Sequence, residues 1–210
     1  LYVDTIISPS FKTAIAQIVQ IPGISGLDNN SILFELCDDG ECGDNRAELL
    51  DGCTFAAVAG LNICILRSSH RHFGYRQRIH IWLTASDYRN ASLMILLAYI
   101  LSGNPEWHQA NIELFVAYDS AHMDSQVSRL NDLIQRGRIP ISAANIKQVP
   151  LSEGVPFEQL VNQRSKTSDL VITGFSLARL AESKGELLFG FREVGDVLFV
   201  RATQRILITD

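Results

Sequence analysis

Segments typical of β-strands alternate with segments typical of α-helices from residue 79 to the end of the chain. Strands are predicted at residues 79–83, 111–118, 144–149, 169–173 and 205–209. Helices are predicted at residues 91–101, 123–135 and 157–164, and the later part of the apolar run 187–200 is also expected to be helical. Strands separated by helices form right-handed βαβ crossovers, which place parallel strands in one sheet with helices on its faces. The order therefore predicts an α/β, Rossmann-like, doubly wound and mostly parallel sheet.

A smaller helix–strand–helix–strand unit precedes this segment. Its helices are predicted at residues 10–19, capped by Ser10, and 46–59, ended by Gly60; its strands are predicted at 31–36 and 61–66. We expect this unit to dock onto or extend the main sheet. The predicted organisation is an N-terminal α/β subdomain (1–66), a basic linker (67–78) and a second α/β subdomain (79–210). No internal repeat is evident in the sequence.

The linker carries four arginines, Arg67, Arg71, Arg76 and Arg78, among polar residues and a glycine. Such a run between two strands predicts a solvent-exposed loop. The alternative is a contact with anionic lipid headgroups or with another part of a larger protein. No amphipathic helix accompanies the arginines, so the pattern favours the loop.

Composition excludes several classes of protein. The net charge of -5 gives no general attraction to nucleic acid, so no nucleic-acid partner is expected. The most apolar run, residues 93–101, is shorter than the roughly 20 residues that span a bilayer, and it predicts a buried helix. No signal peptide is recognisable. Because the first residue is Leu1 rather than Met, we expect the chain to be part of a longer polypeptide.

The four cysteines, Cys37, Cys42, Cys53 and Cys64, form no C-x-x-C pair. Free, buried thiols in a reducing compartment are the expectation. The alternative, a soft metal held by Cys37 and Cys42, lacks the second ligand pair that a structural zinc site requires. No metal is therefore predicted.

A doubly wound sheet binds ligands beyond the carboxyl ends of its strands, here after Leu83, Ala117 and Thr173. Neither G-x-x-x-x-G-K-[ST] nor G-x-G-x-x-G occurs, and no serine lies in G-x-S-x-G. Asp87 and Asp119 would face each other across the crevice as a carboxylate pair, or would cap the helices that follow. The capping role is favoured, so no catalytic residue is assigned and an enzyme is not expected.

Four ordered segments resemble the cytosolic C-terminal domain of cation-chloride cotransporters. Residues 79–83 (IHIWL) are similar to the family's I-D-V-W-W-L strand, and residues 91–101 to its L-L-x-P-Y-L-L helix. Residues 112–116 and 167–179 are similar to the later I-R-V-F-I and S-x-x-A-N-I-I-V-M-S-L-P-x-A-R segments. The chain departs from the family at His80 and at residues 84–87, and its short basic linker indicates a compact, prokaryotic relative.

The resemblance implies the fold of universal stress proteins, with five strands in the order 3-2-1-4-5. Nucleotide-binding members of that class carry G-x-x-G, nine residues, and then G-[ST] after the fourth strand. The corresponding loop is degenerate here, at Gly174, Phe175, Ser176 and Leu177, and a Leu-Leu pair (187–188) stands in place of G-[ST]. The nucleotide phosphates would lose their backbone donors, so no cofactor is expected.

The function that the resemblance implies is that of a non-catalytic regulatory and dimerisation domain of a membrane symporter, which couples chloride to sodium or potassium. It would lie at the cytoplasmic face of the membrane, attached to its own transmembrane domain and paired with a second copy. The predicted edge strand is the expected interface: Arg205, Ile206, Leu207, Ile208 and Thr209. The alternatives are a universal-stress-type sensor that binds an adenine nucleotide and, less favoured, a hydrolase that uses Asp87 and Asp119.

Overall fold

A computed structural model of the chain describes residues 5–21, 28–37, 46–119, 142–151 and 154–204. The described strands are β1 (Ser31–Cys37), β2 (Asn62–Ser68), β3 (Arg78–Leu83), β4 (Asn111–Asp119), β5 (Ile146–Leu151), β6 (Leu170–Gly174) and β7 (Asp196–Arg201). The described α-helices are α1 (Phe11–Ile18), α2 (Arg46–Val58), α3 (Ala91–Ser102), α4 (Phe157–Arg164) and α5 (Leu177–Glu182). Short 3₁₀ turns lie at Asp87–Arg89, Ala143–Asn145 and Glu186–Phe189.

All seven strands belong to one sheet, in the order β1-β2-β7-β6-β3-β4-β5. The five strands from β3 to β7 are parallel, and numbered among themselves along the chain they lie in the order 3-2-1-4-5. β1 and β2 are parallel to each other, and β2 pairs with β7 in the antiparallel sense. The predicted Rossmann-like, universal-stress-type fold is confirmed, and the N-terminal unit extends its sheet.

Among the described residues, helices pack on both faces of the sheet. On one face, apolar side chains of α1, α2, α4 and α5 pack on the sheet in one core. On the other, α3 packs on β3 and β6 in a second core, through residues such as Met94 and Ile95. Neighbouring residues of β2 alternate between the cores, with Ile63 and Ile65 in the first and Cys64 in the second. Full burial of one such side chain stabilises the fold by about 1.5–3 kcal/mol.

Local signals at the ends of two helices act as predicted. The Ser10 hydroxyl accepts a hydrogen bond from the Thr13 amide at 3.3 Å, and the Ser10 amide donates to the Thr13 hydroxyl at 3.2 Å, which completes a capping box at α1. Gly60 follows α2 with φ +80°, the left-handed conformation that glycine adopts without steric cost.

Two element assignments differ from the sequence prediction. Residues 187–200 are expected to become helical in their later part, but Asp196–Arg201 forms β7 inside the sheet. β7 is buried on both faces, so its apolar run lacks the alternation that marks a half-buried strand. The predicted strand at 144–149 begins with a 3₁₀ turn, and β5 starts at Ile146. The helix at 123–135 and the strand at 205–209 lie outside the described residues.

Arg67, the first residue of the predicted linker, is part of β2 and only 1% exposed. Its Nη1 donates to the Phe191 carbonyl and its Nη2 to the Gly195 carbonyl, both at 2.8 Å. For Arg67, both the predicted exposed loop and the alternative of a lipid contact are therefore wrong, because the residue lies in β2 and its guanidinium is buried against the carbonyls of Phe191 and Gly195. The division into subdomains at residues 66 and 78 stays a prediction.

Candidate functional site

A cleft of about 550 Å³ opens at the carboxyl ends of β3 and β6, where a doubly wound sheet binds its ligands. One wall follows β3 and comprises Thr84, Ala85, Ser86, Asp87 and Asn90. The opposite wall follows β6 and comprises Thr173, Gly174, Phe175, Ser176 and Arg179. Apolar side chains close the remainder: Leu151, Phe157, Leu187, Phe191 and Phe199. The cleft is thus largely apolar below a polar rim.

Asp87 holds the turn after β3 in place. Its Oδ2 accepts hydrogen bonds from the Thr84 amide at 3.0 Å and the Thr84 hydroxyl at 2.6 Å, and its Oδ1 accepts from Asn90 Nδ2 at 3.1 Å. The Asn90 side-chain oxygen in turn accepts from the Ala202 amide at 2.9 Å, which ties the turn to the end of β7. Asp87 is buried, and these bonds occupy both of its oxygens.

The Asp87 carboxylate lies directly against the backbone of Gly174. A Cβ built on Gly174 would stand 1.7 Å from Asp87 Oδ1 and 2.8 Å from Asn90 Nδ2. No real Cβ approaches another atom so closely, so only glycine fits there. Gly174 is the first glycine of the predicted degenerate loop. In this chain its missing side chain makes room for a carboxylate, which would repel a phosphate at the same point.

The remaining positions of the predicted degenerate loop also lack the features of a phosphate-binding loop. Phe175 is buried in the first core, and Leu177 begins α5. Ser176 is exposed and makes no side-chain capping bond to α5. Leu188, in the position of the second nucleotide motif, is buried in the Glu186–Phe189 turn. Apolar side chains thus occupy positions where phosphate binding requires approachable backbone amides.

Thr173 contributes a buried hydroxyl to the lining of the cleft. Its hydroxyl is buried and has no hydrogen-bond partner among the described residues. The charged groups around it are the Asp87 and Glu158 carboxylates and the exposed Arg179 guanidinium. One hydroxyl and one arginine suit a small polar ligand group better than a triphosphate.

Of the predicted carboxylate pair, Asp87 and Asp119, the structure describes only the side chain of Asp87. Asp87 stabilises its own turn, and the N-cap residue of α3 is Asn90, which makes no side-chain capping bond. Asp119 is the last residue of β4, and its side chain lies outside the described residues. The pair stays a prediction, and Asp87 is not available as a free base in the described structure.

A second group of polar side chains is buried beneath the sheet, around Ser165. The Ser165 hydroxyl accepts from Trp82 Nε1 at 2.8 Å and lies 2.9 Å from His80 Nδ1. His80 Nε2 lies 3.3 Å from Glu113 Oε2. Burial lowers the pKa of His80 to about 4, against the opposing effect of Glu113. A neutral ring with its proton on Nε2 satisfies all three contacts.

The predicted basic linker is fixed by two buried aspartates at the amino ends of β6 and β7. Asp196 accepts from the Ser69 amide at 2.7 Å and from the Phe73 amide at 3.0 Å. Asp169 accepts from the backbone amides of Tyr75, Gln77 and Arg78 at 2.8–2.9 Å. The segment therefore has a defined conformation, although much of it is exposed.

A pocket of about 370 Å³ lies beside this segment, lined by Arg71, Arg78, Lys166, Thr167 and Asp169 among others. Arg78 Nη1 donates to the Thr167 hydroxyl at 2.8 Å, and Arg71 reaches the Lys166 carbonyl at 3.3 Å. Arg76 pairs with Glu106 at 2.9 Å. Of the four linker arginines for which a lipid contact is the alternative, Arg71 and Arg78 line one pocket and Arg76 pairs with Glu106.

The described cysteine side chains, Cys53 and Cys64, are free and buried, as predicted. Burial raises the pKa of Cys53 to about 12 and that of Cys64 to about 11, so both are protonated thiols at neutral pH. Within the described part of the chain, no three His, Cys, Asp or Glu side chains are grouped so that they would hold a metal ion. The side chains of Cys37 and Cys42 lie outside that part.

Sequence reasoning identified the cleft and its degenerate loop but missed the residues that organise both strand ends. Asp169 and Asp196 resemble surface residues in the sequence, and only the backbone amides that reach them from residues 69–78 explain their burial. Ser165 gave no signal either, since its partners His80 and Trp82 lie on a distant strand. One sequence feature points to these aspartates, which is their position. Asp169 begins a predicted strand, and Asp196 begins the observed strand β7.

No protein-family model matches the sequence, and no match is found among curated proteins. Among solved structures, the chain is similar to the cytoplasmic domain of a prokaryotic cation chloride cotransporter, with a TM-score of 0.64 and 14% identity, over 93% of this chain and 71% of that one. It is also similar to a putative universal stress protein from Pseudomonas aeruginosa, with a TM-score of 0.56 and 16% identity, over 92% and 68%.

A functionally unknown protein from the same species gives a TM-score of 0.55 and 15% identity, over 92% of this chain and 68% of that one. At these identities the similarities establish the fold. They confirm the fold that the motif resemblance implied, which is shared by the cotransporter domain and the universal stress protein. No helix within the described residues is long and apolar enough to cross a bilayer.

Proposed function

We propose that the chain is a non-catalytic regulatory and dimerisation domain of a secondary-active cation-chloride symporter, at the cytoplasmic face of the cell membrane. The observation that carries this proposal is the similarity in fold, over 93% of the chain, to the cytoplasmic domain of a prokaryotic cation chloride cotransporter. The four ordered motifs of the sequence point to the same family independently of the fold.

The geometry of the cleft supports a non-catalytic role. A catalytic cleft requires a base or nucleophile that is free to reach a substrate. Asp87 instead holds the Thr84–Asp87 turn, and its contact with Gly174 fills the space that a phosphate would need. A strand end whose turn is held by Asp87 suits a module that transmits contacts between neighbouring domains.

The proposed partners are the transmembrane domain of the same polypeptide and a second copy of the domain. Chloride, with sodium or potassium, would cross through that membrane part, and this domain would change the rate of transport rather than bind the ions. The predicted dimer interface at residues 205–209 belongs to the same proposal. Sedimentation velocity of the isolated domain over a wide concentration range tests dimerisation, and a monomer at the highest concentration contradicts it.

The experiment that tests the function uses the complete reading frame expressed in membrane vesicles. Chloride-dependent uptake of radioactive rubidium and sodium is measured for the unchanged protein and for a variant with Ile172→Asp, which disrupts the core of this domain. We expect the maximal rate to change and the chloride concentration for half-maximal uptake to stay the same. Uptake that does not depend on chloride would contradict the proposal.

A universal-stress-type nucleotide sensor is the second candidate, favoured by the cleft at the strand ends and the unused Thr173 hydroxyl. Calorimetric titration with magnesium ATP separates the two candidates. Micromolar binding that Arg179→Ala weakens, with the exposed Arg164→Ala as a control, favours the sensor. Absence of binding at millimolar ATP favours the regulatory domain.

Contact with anionic lipid through Arg71, Arg76 and Arg78 is the remaining part of the proposal. These arginines are at least partly accessible at one end of the sheet, and each basic residue near an anionic surface contributes about 1 kcal/mol. Flotation with phosphatidylserine vesicles, compared with phosphatidylcholine vesicles, measures the contact. Substitution of Arg71 and Arg78 by glutamine is expected to abolish flotation, and unchanged flotation excludes this surface.

A further inference from the structure

The pocket beside residues 69–78 lies at the amino ends of β3 and β6, at the opposite end of the sheet from the cleft. Three of its lining side chains are cationic and one is a carboxylate: Arg71, Arg78, Lys166 and Asp169. The chain as a whole has a net charge of -5. The pocket therefore reverses the overall sign of charge, and a concave site with an excess of positive charge attracts anions.

The two arginines reach the same short turn from different segments. Arg71, which follows β2, donates to the Lys166 carbonyl from Nη1 at 3.3 Å and from Nη2 at 3.4 Å. Arg78, the first residue of β3, donates from Nη1 to the Thr167 hydroxyl at 2.8 Å. Arg78 makes this one side-chain hydrogen bond within the described residues. Two guanidinium groups thus contact adjacent residues of one turn, and each keeps N–H donors for an anion.

Two carboxylates lie near these cations, and both have partners. Asp169 is 8% exposed and accepts the backbone amides of residues 75, 77 and 78 at 2.8–2.9 Å, which offset much of its charge. Glu193 pairs with Lys166 Nζ at 3.3 Å, in an exposed ion pair that contributes little to stability. The hydrogen-bond partners of Arg71 and Arg78 are neutral oxygens, so their charges are the ones that an anion would neutralise.

The segment between Arg71 and Arg78 is held in a costly backbone conformation. Its φ values lie between +41° and +63° at four residues: His72, Phe73, Gly74 and Arg76. Residues with a Cβ rarely adopt this region, because the side chain then approaches the backbone. Asp169 and Asp196 fix the conformation by accepting backbone amides of the segment. The backbone that carries both arginines is thereby set before a ligand binds, which reduces the entropy cost of binding.

We propose that this pocket binds the phosphate group of a phosphomonoester, which belongs to a soluble compound or to a lipid headgroup. A phosphomonoester carries about two negative charges near neutral pH and three terminal oxygens. The two guanidinium groups each match a pair of such oxygens, and the Lys166 ammonium and the Thr167 hydroxyl supply further donors at the same turn. A carboxylate, with one charge and two oxygens, would occupy one guanidinium only.

The size of the pocket fits this class of ligand. Its volume of about 370 Å³ lies at the lower end of the range for small-molecule sites, so it accommodates a phosphate with a small attached group. The proposal goes beyond the lipid contact proposed above, because a soluble phosphomonoester would fill the pocket without a membrane. It does not rest on a transport function.

Calorimetric titration of the 210-residue chain with glycerol 3-phosphate, at constant ionic strength, tests the proposal. We expect a dissociation constant of about 1 mM or lower, and binding of acetate that is weaker by about tenfold or more.

Arginine variants locate the binding. Arg78→Gln is expected to weaken binding about tenfold or more, because it removes charge-assisted hydrogen bonds. Arg71→Gln is expected to act in the same direction and replaces Arg78→Gln if that variant fails to fold. Arg76→Gln is the matched control, since it removes the same charge from the same segment but its guanidinium pairs with Glu106. Its effect is expected to stay within about twofold.

Flotation with vesicles that contain phosphatidic acid, whose headgroup is a phosphomonoester, identifies the source of the phosphate. Phosphatidylcholine vesicles are the control. Binding of glycerol 3-phosphate that Arg78→Gln weakens assigns the pocket to a soluble compound. Flotation that Arg78→Gln abolishes, without binding of glycerol 3-phosphate, assigns it to a lipid headgroup.

Three results would overturn the proposal. The first is that neither glycerol 3-phosphate nor phosphatidic acid binds. The second is equal weakening by Arg76→Gln and Arg78→Gln, which means a general attraction to a positive surface. The third is acetate that binds as tightly as glycerol 3-phosphate, which means that the pocket does not select a phosphate. Rubidium uptake measures a different property, so failure here leaves the proposed transport function standing.

Discussion

The units β1-α2-β2 and β6-α5-β7 each consist of two adjacent parallel strands joined through a helix on the same face, and their inner strands β2 and β7 pair in the antiparallel sense around Ile65 and Phe199. Residues at equivalent places in the two registers, such as Leu33 and Ile172, are called counterparts.

The units differ in what surrounds their outer strands, β1 and β6. Ile172 lies between β3 and α3 in the second core, whereas its counterpart Leu33 is more than half exposed. Arg67 has two carbonyl acceptors, whereas its counterpart Arg201 has a buried Nη1 without a partner among the described residues. Residues at equivalent positions in the sheet thus contribute differently to the free energy of unfolding, because different elements surround them.

The largest expected difference is between aspartate substitutions at Ile172 and Leu33. A carboxylate at Ile172 would be buried without a partner, so Ile172→Asp is expected to cost more than about 4 kcal/mol of unfolding free energy. Leu33→Asp is expected to change it by about 0.5 kcal/mol or less in the 210-residue chain. Urea denaturation followed by circular dichroism measures both. A large loss from Leu33→Asp would mean that the two outer strands are equally buried.

The next largest difference in unfolding free energy is expected between Arg67→Met and Arg201→Met. Arg67→Met leaves the carbonyls of Phe191 and Gly195 buried without that donor, and is expected to lower the unfolding free energy by about 2–4 kcal/mol. Arg201→Met removes a guanidinium whose Nη1 is already unpaired among the described residues, so a loss of about 1 kcal/mol or less is expected. Thermal and urea unfolding of both variants provides the comparison. Equal losses would contradict the asymmetry.

Gly174 of β6 and its counterpart Glu35 of β1 also differ in their surroundings, because Gly174 is closely packed and the Glu35 side chain is exposed. Gly174→Ala places a methyl group against Asp87 and is expected to cost about 1–3 kcal/mol, since the Thr84–Asp87 turn must move. Glu35→Ala, on an exposed side chain, is expected to have little effect. Gly103→Ala is the control for adding a methyl group, because the nearest atom there lies 3.4 Å away. No difference between the two glycine variants would contradict the contact.

The smallest expected effect is the pH dependence of the unfolding free energy that His80 causes. His80 lies on β3, and no strand in the place of β3 adjoins the N-terminal unit among the described residues. Burial lowers the pKa of His80 from 6.5 to about 4, so the unfolded state binds more protons between these values. The stability from neutral His80 is complete above pH 6.5 and is lost as the pH falls towards 4.

The expected loss from this residue is about 1–2 kcal/mol between pH 7 and pH 5. Urea denaturation at the two pH values measures it, with His80→Gln as the comparison and His108→Gln, on an exposed residue, as the control. We expect His80→Gln to reduce the pH dependence more than His108→Gln does. An unchanged dependence in His80→Gln would assign it to other groups.

Much of the fold could be predicted from the sequence because local signals and tertiary contacts agree. The pattern at residues 79–118 predicted β3, α3 and β4 within one or two residues, and Ser10 and Gly60 mark helix ends where expected. β7 was missed because a strand buried on both faces lacks alternation. The cleft was located correctly from the strand ends, but the turn that Asp87 fixes could not be predicted.

The sequence by itself determined the order of most strands and helices, two of the helix ends and the departure of residues 174–177 from the G-x-x-G pattern, because these depend on residues close together in the chain. Only the tertiary structure decided that β2 and β7 pair in the antiparallel sense, that Arg67 is buried, and that Leu33 and Ile172 have opposite environments. These features arise between residues far apart in the chain, and no local pattern encodes which neighbours will cover a strand.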